Sequence, residues 1–454
     1  MKCSANCQPP NTSRQMDPMR LCGMLLAMSV RLQFEGIRCF SEAQDAIVRP
    51  LTLLVGENGS GKSTFLALCQ IASSISDSYD EEFPCDFNEP PFLLGAFEQI
   101  ASYRGGRAGR SKSFSIAVSV DDGDRSGSIR ADFMSKSGQA SLRAWRLAVG
   151  NSTWEVTFNG NRETVSLAVE SAQGRHRVPD APRTMLSGLL DLPLRNLAGE
   201  PELKFLETLF SESEWESFIT IPVSIRQWFG QRRYALAPIR TSPRRTYDPV
   251  NSKSKPEGPH VPMLLSLLSR CTAKNQWTEL RGELGEIGSK PGLFEGIEVI
   301  RKGKKGSDPL QIGVKSGGPR FNLIGVGYGA SQALPSLADI LQRPAANETF
   351  LLQQPEVHLH PRAQAELGSF FAQQAGEKRR FVIETHSDHL VDRVRMEVRR
   401  GTLRPDDVSL LYFERRKHGA TIHNLDLDKG GSITNAPDGF REFFLDEAND
   451  LLGI

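Results

Sequence analysis

The sequence predicts an α/β protein with a mixed or parallel sheet covered by helices, to which an antiparallel β subdomain and a helical insertion are added. Three observations favour this fold class. A strand signal, a glycine-rich turn and a helical pattern follow one another at 51–76. Alternation with a period of two residues runs from 113 to 178, which is typical of an antiparallel sheet with one buried face. Strand and helix patterns alternate again after Gly318, as they do in parallel sheets packed against helices.

The composition is that of a soluble globular protein. The 454 residues are enough for two or three domains, and 39% of them are hydrophobic and 24% charged. The net charge of +1 gives no overall attraction to nucleic acid or a membrane, and no apolar run is long enough to span one. The seven cysteines are scattered without a C-x-x-C pair, so we expect reduced thiols in a cytoplasmic protein rather than a disulfide framework or a zinc site.

Residues 1–28 are expected to form a disordered N-terminal extension. Lys2 and Arg20 precede the apolar stretch Leu21 to Val30, which imitates a signal peptide, but no small-residue cleavage site is clear. Changes of pattern divide the rest of the chain into a nucleotide-binding part at 29–112, an antiparallel β subdomain at 113–178, a helical insertion at 179–320, a second nucleotide-binding part at 321–405, and a strand with a tail at 406–454.

The glycine-rich turn after the strand at 51–55 carries the clearest chemistry. It reads G-E-N-G-S-G-K-S, which matches G-x-x-x-x-G-K-[ST], with a strand before it and a helix after it. The glycines let backbone N–H groups and a helix N-terminus face an anion. A plain Gly/Ser turn is the alternative, but it explains neither the spacing nor both flanks. The candidate nucleotide-binding residues are Gly56, Glu57, Asn58, Gly59, Ser60, Gly61, Lys62, Ser63 and Thr64.

Within this turn, Lys62 and Ser63 have the most specific expected roles. The lysine is expected to reach the β- and γ-phosphates of a nucleoside triphosphate, and the serine hydroxyl is expected to bind Mg²⁺. The sequence therefore predicts ATP and Mg²⁺ as ligands.

Two further predicted strands end in polar side chains. The strand at 350–352 leads into Q-Q-P-E at 353–356, and the strand at 381–383 leads into E-T-H-S at 384–387. Because ligands of parallel sheets bind at the carboxyl edge of the strands, we expect these groups near the phosphate-binding turn. A third element, the glycine-rich turn at 325–332, opens a helix and is able to bind an anion through its N–H groups.

The order of these motifs resembles that of ABC-type ATPases grouped with the overcoming-lysogenization-defect, RecF and SMC-like heads. The order is a phosphate loop, a long insertion, a glycine-rich signature, P-E-x-H-L-H-P at 355–361 and E-T-H-S at 384–387. The resemblance covers about 29–76 and 230–445 and is nearest to stand-alone bacterial ATPases with E-[NQ]-P-E-x-H-L-H-P. It implies an ABC-type P-loop ATPase head that works as an ATP-sandwiched dimer or a higher homo-oligomer.

The resemblance also implies roles for individual residues. His386 would be the switch histidine at the γ-phosphate, with a surface histidine as the alternative. His358 and His360 would either act in a dimer-facing loop or pack a turn. Gln99 is a candidate for a glutamine that senses metal and nucleotide, or is an exposed helix or loop residue. The signature, which would contact the γ-phosphate of ATP held by a second subunit, would consist of Gly327, Gly329, Ser331 and Gln332.

One motif departs from the pattern of that group. Gln353 stands where the family has an Asp or Glu for the metal, and Gln354 stands where many ABC enzymes carry the catalytic glutamate. A neutral amide lacks the charge that a hard divalent cation favours, which leaves Glu356 as the acid of this motif. The catalytic candidates are therefore Gln353, Gln354, Glu356 and His386, and the metal candidates are Ser63 and Gln353.

The amide at position 353 predicts a slow or inactivated ATPase. The change is either natural or an engineered acid-to-amide substitution, and we favour engineering because the other motifs are intact. Restoring the acid with Gln353→Glu is then expected to raise hydrolysis by roughly 10²–10³, the scale on which a single lost electrostatic contact slows other enzymes.

Several functions follow from the resemblance. The first is an ATP-driven switch in bacterial anti-phage defence that controls a nucleic-acid-directed or toxic effector, expected on a separate protein because the tail after 405 is too short for a Toprim nuclease. An SMC- or RecF-like DNA-repair ATPase is the alternative; a transporter ATPase subunit fits the long insertion less well, and the missing acids would also permit a structural scaffold. Basic clusters at 104–112, 240–245, 301–305 and 393–400 make nucleic acid a candidate partner, although solvated loops explain them equally well.

Overall fold

In a computed structural model, the described residues form three β-sheets, with helices packed around the central one. The model describes residues 29–76, 85–105, 109–121, 126–158, 164–172, 174–182, 212–229, 232–249, 253–270, 274–303, 305, 308–343, 347–437 and 440. In these ranges the strands are β1 (Ser29–Glu35), β2 (Gln44–Val48), β3 (Leu51–Gly56), β4 (Ser113–Asp121), β5 (Ser126–Lys136), β6 (Gln139–Val149), β7 (Ser152–Thr157), β8 (Thr164–Ser171), β9 (Gly174–Pro182), β10 (Arg232–Leu236), β11 (Gly296–Arg301), β12 (Leu310–Lys315), β13 (Arg320–Asn322), β14 (Glu348–Gln353), β15 (Arg379–Glu384), β16 (Val408–Arg416) and β17 (Gly419–Leu425). The helices are α1 (Lys62–Ser76), α2 (Phe97–Ile100), α3 (Glu212–Phe229), α4 (Val261–Leu268), α5 (Lys274–Ser289), α6 (Tyr328–Gln342), α7 (Pro361–Gln374) and α8 (Asp388–Arg399).

The central sheet has six strands in the order β10-β14-β15-β3-β16-β17. Each neighbouring pair is parallel except β16 and β17, which are antiparallel. The strand that precedes the phosphate loop is therefore hydrogen-bonded to β15, and β14 lies one strand further away. This arrangement confirms the α/β sheet predicted from the alternating strand and helix patterns, and it brings the carboxyl ends of β3, β14 and β15 to one edge.

Alternate residues of the central strands face two different cores, as the pleat of a strand requires. Leu351 of β14 and Val382 of β15 belong to the core that contains α1 and the antiparallel sheet. Phe350, one residue away, belongs to the core that contains α6, α7 and α8. By the same alternation, Gln353 and Glu384 project from the sheet on the side of α1.

The antiparallel sheet predicted from the period-two pattern has eight strands in the order β2-β1-β4-β5-β6-β7-β8-β9. It is larger than the sequence indicated, because β1 pairs with β4 in the register Val30↔Val120 and β2 pairs with β1. The pairing of β1 with β4 joins segments far apart in the chain, so the local pattern does not reveal it. Among the residues predicted to face the core, Phe158 is half-buried and the others are buried: Phe114, Ile116, Val118, Val120, Ile129, Ala131, Phe133, Trp154, Val156, Val165, Leu167 and Val169.

The segment predicted as a helical insertion contains strands as well as the helices α3, α4 and α5. Strand β10 joins the central sheet beside β14, and β11, β12 and β13 form a separate antiparallel sheet. The prediction missed β10, β11 and β12, which are short strands of five or six residues. The helical patterns expected between Leu186 and Phe210, and the extension at 1–28, lie outside the described residues.

A strand predicted at Phe321 to Ile324 is wrong in its second half. Strand β13 ends at Asn322, and a 3-10 turn follows at Leu323–Gly325. The Asn322 side chain accepts a hydrogen bond from the Ile324 N–H at 3.1 Å, which turns the backbone at this point. Among the helices that the structure describes, none combines the length and the apolar character needed to cross a membrane.

Candidate functional site

The phosphate loop connects β3 to α1, and its shape depends on glycines that accept no side chain. Gly56 has φ +137°, and a Cβ on it would lie 2.3 Å from the carbonyl oxygen of Phe413 on β16. Gly61 has φ +101°, and a Cβ on it would lie 2.3 Å from the ring of Phe40. Gly59, with φ +75°, has nothing within 4 Å of its Cβ position. The loop is therefore packed against the protein on one side and open at its tip.

Lys62 is the first residue of α1 and lies almost fully inside the loop. Its Nζ donates to the carbonyl oxygens of Gly56 and Glu57 at 2.9 and 2.7 Å. Burial lowers the pKa of Lys62, and the nearby carboxylates of Glu384 and Glu57 act in the opposite direction. The ammonium is thus held inside a ring of backbone groups, at the place where the predicted phosphate oxygens would bind.

Ser63 brings a second strand into the site. Its hydroxyl donates to Oε2 of Glu384 at 2.8 Å, and Glu384 is the last residue of β15. Glu384 is 5% exposed, whereas Ser63 is exposed. A hydroxyl and a carboxylate therefore meet directly at the start of α1.

Gln353 and Gln354 lie at the end of β14, one strand beyond this contact. Gln353 is the register partner of Glu384, and the N–H of Gln354 donates to the carbonyl oxygen of Glu384 at 2.8 Å. Gln354 has φ +44°, so the chain turns sharply as it leaves the strand. The predicted amides are at the expected sheet edge, but Glu384 lies between them and the phosphate loop.

Glu356 connects the loop after β14 to the loop after β15. Its Oε1 accepts hydrogen bonds from the Thr385 hydroxyl at 2.8 Å and from the His386 N–H at 2.9 Å. Its Oε2 is buried without a hydrogen-bond partner, and the residue is 5% exposed. Burial raises the pKa of Glu356, although these hydrogen bonds and the charge of Arg240 oppose the shift.

The raised pKa of Glu356 predicts a pH dependence of stability. Stability contributed by this group is fully present below the ordinary pKa of about 4.5 and is lost as the pH rises through the raised folded-state value. Glu356→Gln lacks this loss, so its free energy of unfolding relative to wild type should improve between pH 5 and pH 8 in urea titrations. Glu356→Ala removes the acceptor of two hydrogen bonds and should cost about 1–3 kcal/mol at pH 5, and this cost should fall towards pH 8 as it does for Gln, because Ala also lacks the titrating group. If the free energies of unfolding of Glu356→Gln and wild type differ by the same amount at pH 5 and pH 8, Glu356 does not titrate in this range.

His386 lies at the same edge with its side chain exposed. Partial loss of water around the ring and the charge of Lys62 lower its pKa. The next residue, Ser387, begins α8 by accepting the Leu390 N–H at 3.1 Å. The imidazole is thus exposed on a short connection, anchored by hydrogen bonds, that lies close to Lys62.

The signature residues divide into an exposed and a buried group. Gly325, Gly327 and Tyr328 are exposed, and Tyr328 has 67% of its surface accessible. Ser331 and Gln332, expected to meet the nucleotide of a second chain, are 3% and 5% exposed. The hydroxyl of Ser331 donates to the carbonyl oxygen of Tyr328 at 3.0 Å, so it completes the first turn of α6 instead of facing solvent.

Arg240 links the signature helix to the end of β14. Its guanidinium donates to the carbonyl oxygens of Gln332 at 2.8 Å and Gln354 at 3.3 Å, and burial lowers its pKa to about 10. Gly329 reinforces this link, because a Cβ on it would lie 3.1 Å from the carbonyl oxygen of His358. The signature turn and the second motif therefore form one packed unit.

The remaining predicted residues have local partners. His360 begins α7, because its ring accepts the Arg362 N–H at 3.3 Å, which agrees with the structural alternative. The exposed His358 has φ +68° and its ring lies 5.8 Å from that of Tyr328. Gln99 is exposed, and its Oε1 accepts the Ala96 N–H at 2.9 Å, which agrees with the alternative of an exposed helix residue.

Glu384 has no predicted role, and Arg240 has a different one. Glu384 does carry a signal, since it is an acid at the end of a buried strand that precedes a polar turn, the same position that draws attention to 353. Only the strand order shows that β15, and not β14, adjoins β3. Arg240 is predicted to belong to a basic cluster for nucleic acid, but it is 5% exposed and donates to backbone carbonyls far along the chain.

Comparison with known proteins gives two matching family models. One, described as "AAA domain, putative AbiEii toxin, Type IV TA system", matches residues 291–392, and the other, "Protein of unknown function (DUF3696)", matches residues 403–453. The first includes the signature turn, β14 and β15, and the phosphate loop lies outside both. The search of curated proteins finds no match.

Among solved structures, SMC heads are similar at low sequence identity. A Smc head bound to the C-winged helix domain of ScpA is 13% identical, with 88% of this chain and 98% of that chain covered and a TM-score of 0.45. A Smc head with an extended coiled coil, bound to the C-terminal domain of ScpA derived from Pyrococcus furiosus, is 11% identical, with 94% and 99% covered and a TM-score of 0.43. The SMC head domain from Thermotoga maritima is 12% identical, with 88% and 99% covered and a TM-score of 0.36.

Proposed function

We propose that this chain is an ATP-binding and ATP-hydrolysing ABC-type switch, two copies of which close around ATP to control an effector on a separate protein. The observation that carries the proposal is the phosphate loop at the carboxyl edge of the central sheet. There, Lys62 and Ser63 begin α1, and three polar strand ends meet. The match of 291–392 to an AAA domain family supports the same class of activity.

The loop has the space and the donors that a triphosphate needs. Glu57, Asn58 and Gly59 are exposed at its tip, so phosphate oxygens have access to the backbone N–H groups. The Nζ of Lys62 donates to two backbone carbonyl oxygens. Phosphate oxygens would accept some of these hydrogen bonds, and their negative charge would offset the free-energy cost of burying the ammonium.

Magnesium fits the donors beside the loop. The Ser63 hydroxyl and the Glu384 carboxylate are hard oxygen ligands in direct contact, which is the chemistry that Mg²⁺ favours. When bound, the ion would neutralise charge on the transferred phosphoryl group. The chain itself would hold the phosphates through Lys62 and the loop, and His386 would donate a hydrogen bond at the exposed edge.

The signature turn supports assembly of two chains. The N-terminus of α6 is exposed at Gly327 and Tyr328, and a helix N-terminus attracts a phosphate. Phe321 and Ile324 beside it are 44% and 46% exposed, so the turn lies in an apolar patch. Such a surface is suited to a second copy that carries ATP in its own phosphate loop.

The arginine-rich helix α8 favours a protein effector over nucleic acid as the partner of this chain. Arg393 pairs with Glu366 at 2.9 Å, and Arg400 pairs with Glu397 at 2.9 Å. These guanidinium groups are already neutralised by acids, so this face offers little free positive charge to a phosphate backbone. The family matched at 291–392 is named for a toxin of a toxin–antitoxin system, which fits control of a toxic effector in anti-phage defence.

Light scattering on the wild-type chain tests the proposal. The molar mass is expected to double with Mg²⁺ and ATPγS and to stay unchanged with ADP, because only the γ-phosphate reaches the second chain. ATP in place of ATPγS should give measurable phosphate release. A chain that binds no nucleotide in calorimetry, or whose mass is the same in all conditions, would contradict the proposal.

A further inference from the structure

We propose that Glu384, at the end of β15, is the carboxylate that binds Mg²⁺ together with Ser63, in place of the acid that is absent at position 353. The inference rests on the proposed function, since it assigns the metal-binding acid of the same site. It also gives Gln353 a different meaning, because an amide at that position need not inactivate the chain.

The contact between Ser63 and Glu384 is the first support. The serine hydroxyl donates to the carboxylate at 2.8 Å, although Ser63 is exposed and water is available to it. Glu384 is 5% exposed, and the Ser63 hydroxyl is the one side-chain hydrogen bond described for its carboxylate. Ser63 and Glu384 are therefore already in contact beside the loop that is expected to hold the phosphates. A cation bound there would exchange their hydrogen bond for two oxygen ligands.

The strand order is the second support. β15 is hydrogen-bonded to β3, while β14 is separated from β3 by β15. Gln353 and Glu384 are register partners that project on the same face of the sheet, and neighbouring strands lie about 4.8 Å apart. The side chain at 384 is thus nearer to Ser63 by one strand spacing, and a carboxylate at 353 would have to reach past it.

Charge around the site is the third support. Glu384 is close enough to Lys62 to favour its charged form, so the acid is already part of the electrostatics of the loop. A second carboxylate at 353 would lie beside Glu384 and repel it whenever no cation is present. The amide of Gln353 avoids this repulsion.

Glu356 is the other acid of this sheet edge, and its contacts lead elsewhere. Its described hydrogen bonds go to Thr385 and to the His386 N–H, and it is the loop after β15 that they hold in place. Glu356 therefore positions the residues that follow Glu384 and does not contact Ser63.

Calorimetry with ATPγS, in Mg²⁺ and in EDTA, tests the assignment on the full chain. The measured quantity is the gain in affinity that Mg²⁺ gives. Glu384→Gln keeps the size of the side chain and an acceptor for Ser63, and it should reduce this gain by about tenfold or more, the scale of one lost contact to a charged group. Its affinity in EDTA should stay within about threefold of wild type, which shows that the loop is intact. Gln353→Glu serves as the matched variant and should leave the gain within about threefold of wild type.

The outcomes separate this assignment from the proposed function. The assignment is overturned if Mg²⁺ raises the ATPγS affinity of Glu384→Gln as much as that of wild type. It is also overturned if the increase in affinity with Mg²⁺ is about tenfold larger for Gln353→Glu than for wild type. In both cases ATPγS still binds to wild type, so the proposed function stands. If wild type binds no ATPγS in either buffer, the proposed function fails first and the assignment fails with it.

Discussion

Lys62→Ala is expected to weaken ATP binding by roughly 10²–10⁴, because it removes two charge-assisted contacts to phosphate of about 1.5–3 kcal/mol each. Lys62 is 3% exposed and lies inside the loop, so no neighbouring side chain can take its place there without moving the backbone. Isothermal titration with ATPγS and Mg²⁺ measures the loss.

Two controls make this measurement specific to the phosphate loop. Lys112→Ala removes the same charge from an exposed position and should leave affinity unchanged. A urea titration of Lys62→Ala checks that the protein remains folded, because the carbonyl groups of Gly56 and Glu57 lose their donor. Equal affinity in wild type and Lys62→Ala would contradict nucleotide binding at this loop.

Gly327→Glu is expected to abolish ATP-dependent self-association and to leave binding of ATP to the chain's own loop within about threefold of wild type. A Cβ on Gly327 meets nothing within 4 Å, and its φ of −57° suits any residue, so the single chain tolerates the change. The new carboxylate would stand at the N-terminus of α6 and repel the γ-phosphate of a second chain. Light scattering with Mg²⁺ and ATPγS measures the association.

Gly282→Glu is the control for Gly327→Glu, since Gly282 is exposed on α5 and a Cβ there also meets nothing within 4 Å. This variant should associate like wild type. A change at Ser331, the position that the signature motif suggests, is less informative because Ser331 is buried and an arginine there would disturb α6. Unimpaired association of Gly327→Glu would show that the turn at 325–328 is not in the interface.

The parts of the fold that sequence could predict are those specified by neighbours in the chain. The spacing of glycines around Lys62 predicted a strand, loop and helix, and β3 and α1 are found there. A proline at the start and Gly376 after the end predict a helix from Pro361 to Ala375, and α7 runs from Pro361 to Gln374. Alternation predicted buried residues of β4, β5, β7 and β8, because the pleat of a strand places alternate side chains on one face. It did not identify Leu142, Trp145, Leu147 and Val149 of β6, which are buried as well.

The parts that sequence could not predict depend on which segments meet across the sheet. Strand β1 reads like any alternating strand, and only pairing with β4 places it in the antiparallel sheet. In the same way, nothing in the sequence shows that β15 lies between β14 and β3. The sequence therefore points to position 353, although the acid at 384 is the one that contacts Ser63.

The most direct test of the central claim, a shared site built from two chains, is light scattering on an equimolar mixture of Lys62→Ala and Gly327→Glu with Mg²⁺ and ATPγS. Lys62→Ala keeps an intact signature turn, and Gly327→Glu keeps an intact phosphate loop, so a mixed pair contains one complete site. The prediction is that neither variant associates alone and that the mixture gains the mass of a dimer. A mixture that remains monomeric under conditions where wild type forms dimers, or a Lys62→Ala sample that forms dimers by itself, would contradict the claim.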